Sequence, residues 1–568
     1  MFTYDLMDGL TRVDYPDGNY VSYSYDNACR LTSVTTPFGS TAYEYDLLDR
    51  LTRVVDRNGY ATIYEYDANG NRTAVHYANG FTTTYDYDLL NRLICEKTVD
   101  SEDNVVVQYI YTLGAAGERK SVTELDRTVE YSYDSLYRLT SETITEGEKV
   151  TVYTYAYDNV SNRILKTENG AATEYVYNAL NQLVSDSETS YEYDLNGNLV
   201  RVIGSAQSAL YEYNSENKLV RATVQNGVLV TEESYTYDYQ GNRISKATHR
   251  SDGVTEYVKY LNDNSSLTNV LAEIDENGTA KCTYTIGADL ISQECDGKVS
   301  VYLYDGHGSV VGLANENGKV TDTYAYDAFG NLFDSTGSTK NCYRYCGEQF
   351  VETTGLYYLR ARYMDTSTGR FISQDSYAGS ISDPISLHKY LYANVNPVTY
   401  SDPSGCLSEV SVGILPIFII EVQIATPLLV SAVICPTLGV AAIEVKYNEY
   451  VVQVGINIIA CLRAVEPILA FGSIFGNQIV AVIHQLVSGM SNSLSMATDV
   501  AESAIEQTQV SYDNDPPTNS QTTKEKRRKD NYVYFGFRNT NVVYVGMSLS
   551  SKIVTLSPKI KPSVSAKV

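Results

Sequence analysis

A chain of 568 residues is too long for one ordinary core, so it either divides into several domains or repeats a small unit many times. Its 52 Tyr against 12 Phe and no Trp exclude a general-purpose core and favour a patterned repeat. The formal charge of −26 excludes direct nucleic-acid binding by the body of the chain, which offers nothing to neutralise phosphates, although residues 511–568 hold ten Lys or Arg against four Asp or Glu.

The N-terminus, Met1-Phe2-Thr3-Tyr4-Asp5, lacks a basic and then apolar leader and begins inside a repeat. The expectation is a late internal start, with any export signal in a missing upstream region. From Asp5 onward the pattern Tyr-x-Tyr-Asp recurs, followed a few residues later by Arg-Leu or Asn-Arg. Examples are Tyr23-Ser24-Tyr25-Asp26 with Arg30-Leu31, Tyr43-Glu44-Tyr45-Asp46 with Arg50-Leu51, and Tyr64-Glu65-Tyr66-Asp67 with Asn71-Arg72. Tyrosines at i and i+2 share one face of a strand. The Asp, Asn and Gly behind them supply a turn, so each unit reads strand, turn, strand. One hairpin cannot bury its own face, so neighbouring units stack into a continuous sheet with the tyrosines as a ladder.

These repeats, over residues 1–405, resemble the YD repeats of RHS proteins, of Tc-toxin shells and of teneurins. The resemblance implies a strand array that spirals into a hollow shell enclosing the C-terminal segment. The expected fold class is therefore mainly β: a spiral of stacked hairpins, followed by a helical apolar region and a short β-hairpin. The expected divisions are 1–340 for the repeat shell, 341–405 for a closing segment, 406–510 for the apolar region, 511–530 for a linker and 531–568 for a terminal hairpin.

The nine cysteines are scattered and odd in number, which argues against a dense disulfide framework. Cys342 and Cys346 form the one close pair, and two readings stay open: a zinc site or buried free thiols. No cofactor or resident metal is expected.

The segment from Tyr343-Arg344-Tyr345 through Leu359-Arg360-Ala361-Arg362-Tyr363 and Gly369-Arg370-Phe371-Ile372-Ser373-Gln374-Asp375 to Ser401-Asp402-Pro403-Ser404-Gly405 resembles the RHS repeat-associated core. In several relatives that core is an aspartyl self-protease cutting just after the Asp-Pro-x-Gly motif. Carried over position by position, the resemblance implies Asp375 and Asp402 as the catalytic pair and a cut near Cys406–Leu407. Two close carboxyls suit the chemistry because repulsion and burial split their pKa values, so one takes a proton from water while the other protonates the carbonyl. Asp375 precedes Ser376-Tyr377 rather than Pro, and Asp383-Pro384 offers a second candidate for the first acid. The competing reading makes these turn aspartates that cap the shell.

After Gly405 the composition changes abruptly. Ile424–Ile443 carries no charge, and Ile468–Val487 holds His484 as its one ionisable group. Each run is long enough to span a bilayer, so membrane contact over 424–487 is one reading; Pro427 and Pro436 favour the other, buried or enclosed helices. The linker carries the basic run Lys524-Glu525-Lys526-Arg527-Arg528-Lys529.

Tyr532-Val533-Tyr534 and Tyr544-Val545-Gly546, on either side of an Asn-rich turn, resemble the opening hairpin of GIY-YIG nucleases. That resemblance makes Tyr534 and Tyr544 vestigial nuclease positions. The 22 residues after Gly546 contain no Glu for a metal, so no nuclease activity is expected and the end reads as truncated.

Together these features imply a secreted or contact-delivered toxin carrier. Its own C-terminal segment is the cargo, an immunity protein is the expected partner, and its location is outside the cell or at its surface. Two alternatives stand beside it: a surface adhesin whose tyrosines bind glycans, and a degraded remnant with neither role.

Overall fold

The computed structural model describes residues 1–406 apart from 8, 206, 264–266 and 381–382. Beyond them it describes 408–410 and the strands Phe418–Ile424, Leu428–Cys435, Val440–Tyr447, Tyr450–Asn457, Tyr532–Gly536 and Tyr544–Ser548. The chain divides into two units, Met1–Leu415 and Pro416–Val568.

The first unit is mainly β. Two antiparallel meanders, in which each strand pairs with the next in sequence, take up Phe2–Glu174 as 17 strands and Val176–Thr336 as 16 strands. The repeat dictates this locally. In each unit one oxygen of the motif Asp accepts the amides two and four residues on, as Asp46 does from Leu48 (2.8 Å) and Arg50 (3.0 Å). The residue three after the Asp takes positive φ: Asp49 at 61°, Gly70 at 89°, Asn91 at 58°. That is a three-residue loop ending in a left-handed residue, the form that leaves a bulge, and the strand register shifts at the second tyrosine of the pair, between Glu44 and Tyr45 or Glu65 and Tyr66.

The two tyrosines divide the work. The first lies across from a residue other than a ring: Tyr23 opposite Val34, Tyr43 opposite Val54, Tyr85 opposite Glu96, Tyr155 opposite Lys166. The second points its hydroxyl back to the preceding hairpin and donates to a main-chain oxygen there: Tyr45 to Leu31 (2.9 Å), Tyr66 to Leu51 (2.7 Å), Tyr157 to Leu139 (2.6 Å), Tyr213 to Leu199 (2.9 Å). Each hairpin is thus latched to its neighbour by a bond that pairs the second phenol, whereas the first is not always paired: the buried Tyr155 hydroxyl has no hydrogen-bond partner among the described residues. These ladder phenols are committed inside the fold, and the glycan reading gains no support from them.

The motif arginine has two fates, set by its offset from the Asp. At offset four it stays at the surface and ties the next repeat: Arg138 pairs with Asp134 (2.7 Å), donates to the Asp158 oxygen (2.9 Å) and lies 5.0 Å from the Tyr157 ring. At offset five it turns inward and reaches a distant element. Buried Arg72 pairs with Asp289 (2.7 Å), Arg163 donates to the Ser367 oxygen (2.7 Å), and Arg243 reaches Gln349 (2.5 Å).

Those anchors mark where the sheets and the closing segment meet. Val21 and Val34 pack with Leu261 and Leu271, and Tyr64 and Val54 pack with Ile291. The segment 341–405 contributes Val351, Leu356, Tyr358, Tyr363 and Ile372 to the core under Tyr175–Tyr235, and Val395 and Val398 to the core under Val129–Tyr155. Cys282 and Cys295, opposite each other on adjacent strands, form a disulfide that the cysteine spacing does not disclose.

The second unit contains a four-stranded antiparallel sheet, Phe418–Ile424, Leu428–Cys435, Val440–Tyr447 and Tyr450–Asn457, and a two-stranded pair, Tyr532–Gly536 with Tyr544–Ser548. The helical expectation for 406–510 is not supported where that range is described: its first half forms strands, in keeping with its Val and Ile content. The run Ile468–Val487 and the linker 511–530 lie outside the described residues. Among the described residues no helix is long and apolar enough to cross a membrane.

Candidate active site

The two aspartates singled out in the sequence, 27 positions apart, come together through a residue that was not. Arg362, on the strand Arg362–Asp365, is buried and places one terminal nitrogen, Nη2, 2.9 Å from Asp375 Oδ2 and 3.4 Å from Asp402 Oδ2. Asp402 is 2% exposed. Its other oxygen accepts the Cys406 amide at 2.9 Å and the Ser404 hydroxyl at 3.2 Å, which closes the Asp-Pro-Ser-Gly turn. Asp375 is held by the Tyr377 amide (2.8 Å), while its own amide donates to the Lys389 oxygen (2.9 Å).

Arg362 is fixed from several sides. Nη1 donates to the Lys389 oxygen (3.1 Å), Nε donates to the Gly405 oxygen, and the guanidinium lies 3.5 Å from the Phe371 ring centroid. Gly405 has φ of +72°, and a Cβ there would stand 2.2 Å from the Leu359 oxygen and 3.0 Å from the Arg362 amide, so the turn requires glycine. Cys406 places its thiol 3.8 Å from the Ser376 hydroxyl and beside the Asp375 carboxylate.

Burial raises the pKa of Asp375, with the Arg362 charge opposing, and burial likewise pushes the Cys406 thiol up. The arrangement differs from two carboxyls that repel and share a proton: a guanidinium stands between them, so their mutual repulsion is offset and burial is what lifts Asp375. Asp383, the alternative first acid, is exposed on the turn before Pro384–Leu387.

The other named positions fall elsewhere. Tyr534 pairs in register with Gly546, and Tyr544 with Gly536. Cys342 and Cys346 are free: Cys342 contacts Glu273 and Tyr284, Cys346 contacts Tyr392 (3.4 Å), and burial pushes the Cys342 thiol up to about 12. Among the described residues no group of three His, Cys, Asp or Glu could hold a metal ion.

Comparison with known proteins agrees with the repeat. Residues 4–41, 45–82 and 66–105 match the RHS Repeat family, and residues 116–398 match the Teneurin YD-shell family. The chain is an RHS/YD-repeat protein.

The tRNA3(Ser)-specific nuclease WapA of Bacillus spizizenii is 36% identical to this RHS/YD-repeat chain over 282 residues, which make up 48% of the chain and 12% of that protein. The double-stranded DNA deaminase toxin A of Burkholderia cenocepacia is 26% identical over 334 residues, 53% of this chain and 22% of that one. The Photorhabdus luminescens Tc holotoxin pore has the same fold, with a TM-score of 0.59 at 20% identity over 70% of this chain and 22% of that chain. The chain therefore spans less than a quarter of the length of each of these proteins.

Proposed function

We propose that this RHS/YD-repeat chain is the closing portion of a toxin carrier. Its two latched meanders form the wall of a hollow shell, the segment after Cys406 is the cargo, and the turn at Asp402–Cys406 is where carrier and cargo are severed. What supports the reading is the buried Asp375–Arg362–Asp402 cluster, closed around the main chain at the end of the closing segment. Two relatives whose names denote different nucleic-acid-modifying activities each share about half of this chain, as suits a common carrier with exchangeable effectors. Delivery outside the producing cell and a cognate immunity protein belong to the same proposal.

In the severing step a water beside the pair loses its proton to one carboxylate as the other carboxyl protonates the carbonyl oxygen of the bond that breaks. Asp375, lifted by burial, is the proton-carrying partner. Expression of the full chain gives two fragments meeting near Cys406–Leu407, and Asp375→Asn or Asp402→Asn leaves it whole. A wild-type chain that stays intact, indistinguishable from Asp402→Asn, overturns the severing step.

A further inference from the structure

The Gly405–Cys406 peptide bond is held on both sides of the Asp402 turn, by Arg362 and Asp402 of the buried cluster and by Ser404. The Gly405 oxygen accepts from Arg362 Nε. The Cys406 nitrogen donates to Asp402 Oδ1 at 2.9 Å and to Ser404 Oγ at 3.2 Å. The Cys406 thiol, one residue beyond the carbonyl carbon, lies against the Asp375 carboxylate and 3.8 Å from Ser376 Oγ. The acyl residue is the glycine that the turn requires, so the α-carbon beside the carbonyl bears no side chain to obstruct attack from sulfur. The flanking strands Tyr400–Ser401 and Glu409–Val410 pair across this turn and hold both sides of the bond together.

We propose that Cys406 attacks its own upstream carbonyl, converting the Gly405–Cys406 amide into a thioester by an N-to-S acyl shift, so that this chain can part through a cysteine intermediate. The proposal rests on the severing reading in placing the break at this turn, and it changes the bond, the nucleophile and the part of Asp375, which enters this step ionised, paired with Arg362. In the step, the sulfur–proton bond breaks and the proton passes to Asp375. A sulfur–carbon bond forms at Gly405, and the charge that develops on the Gly405 oxygen is met by Arg362 Nε. The carbon–nitrogen bond then breaks, and the proton carried by Asp375 is delivered to the Cys406 nitrogen, leaving a neutral amine beside the Asp402 carboxylate that becomes ammonium by taking up the proton released when the thioester is later hydrolysed. No electrons are gained or lost overall. Water then opens the thioester to a Gly405 carboxylate and returns the free Cys406 thiol. Cys406, Asp375, Asp402 and Arg362 each touch reacting atoms and are catalytic residues in this scheme.

The test treats the purified full chain with hydroxylamine at neutral pH, which captures thioesters as hydroxamates, and reads the products by mass spectrometry. The expected result is a fragment ending in a Gly405 hydroxamate and a partner beginning at Cys406, with the chain parting at this bond at least tenfold faster than in untreated protein. Both are absent from Cys406→Ala; Cys406→Ser retains slower capture through an ester. Absence of the Gly405 hydroxamate from wild type, or equal cutting in Cys406→Ala, overturns the proposal. If Cys406→Ala still parts between 406 and 407, the two-carboxylate hydrolysis stands and the acyl shift falls. If untreated wild type stays whole yet hydroxylamine yields the Gly405 hydroxamate, hydrolysis falls and the acyl shift stands.

Discussion

Arg243 is the sharpest test of how the repeat and the closing segment hold each other. It sits at offset five from Asp238, is 4% exposed, and has no carboxylate among its ion pairs in the described residues. Four tyrosines surround its guanidinium instead, with centroids at 5.6 Å (Tyr235), 5.0 Å (Tyr260), 4.3 Å (Tyr358) and 6.0 Å (Tyr363). It donates to Gln349 Oε1 at 2.5 Å and to the Tyr363 hydroxyl at 3.2 Å. Arg243→Ala removes the cation–ring attraction, leaves Gln349 Oε1 buried without its donor and opens a cavity. Those losses, partly offset by no longer burying a charge, come to about 3–5 kcal/mol. Arg138, at offset four, is the control. Its partner Asp134 keeps the Leu136 and Arg138 amides (2.9 and 3.0 Å), so Arg138→Ala costs only about 1 kcal/mol. Amide exchange over Gln349–Asp365 reads the difference as local opening, with each 1.4 kcal/mol worth about a tenfold rate. Arg243→Ala speeds exchange there at least about a hundredfold, and Arg138→Ala leaves that segment nearly unchanged. Equal behaviour of the two variants would refute the assignment of distinct roles to the two offsets.

Glu142 is wholly buried beside Asp327 and accepts the Ala328 amide at 3.0 Å, and burial, reinforced by Asp327, raises its pKa to about 8. Its folded pKa lies above its unfolded value, so its contribution is full below about pH 4.5 and is lost as pH rises through about 8. Glu142→Gln, which keeps an acceptor for Ala328, should flatten that decline in thermal unfolding; an unchanged slope between pH 5 and 8 counts against it. Non-reducing peptide mapping should return Cys282 joined to Cys295, and reduction should destabilise the protein by about 2–3 kcal/mol for a crosslink spanning 13 residues. Alkylation of both cysteines before reduction contradicts the pairing.

Strand, turn and face could be read from the repeat because its signals are local: paired tyrosines at period two, an Asp whose carboxylate folds back on its own loop, and Gly or Asn at the left-handed position. The phenol latch could not, since the acceptor is a main-chain oxygen some 14–18 residues away that becomes a neighbour only after the hairpins stack. The fate of the arginines was written in the chain as an offset of four or five from the Asp, yet it acquires meaning only once Ser367, Gln349 and Asp289 are in place. Cys282 and Cys295 pair because the hairpin register sets them opposite, which spacing alone does not fix. Asp375 and Asp402 were reached through family resemblance. Arg362 was missed because neither it nor Arg360 two residues before it carries a local signal of which distant carboxylates it bridges. Over 418–457 the apolar run Ile424–Ile443 suggested helix, whereas the described residues form strands, in keeping with their Val and Ile content.

The carrier account is tested most directly by asking whether the tail is enclosed. The basic run Lys524–Lys529 offers trypsin adjacent cleavage sites. If the latched meanders wall in the cargo, trypsin leaves that run uncut in the native protein and cuts it promptly once denaturant opens residues 1–405. Cleavage at 524–529 in the native protein, as fast as in a free peptide of the same sequence, would contradict the account.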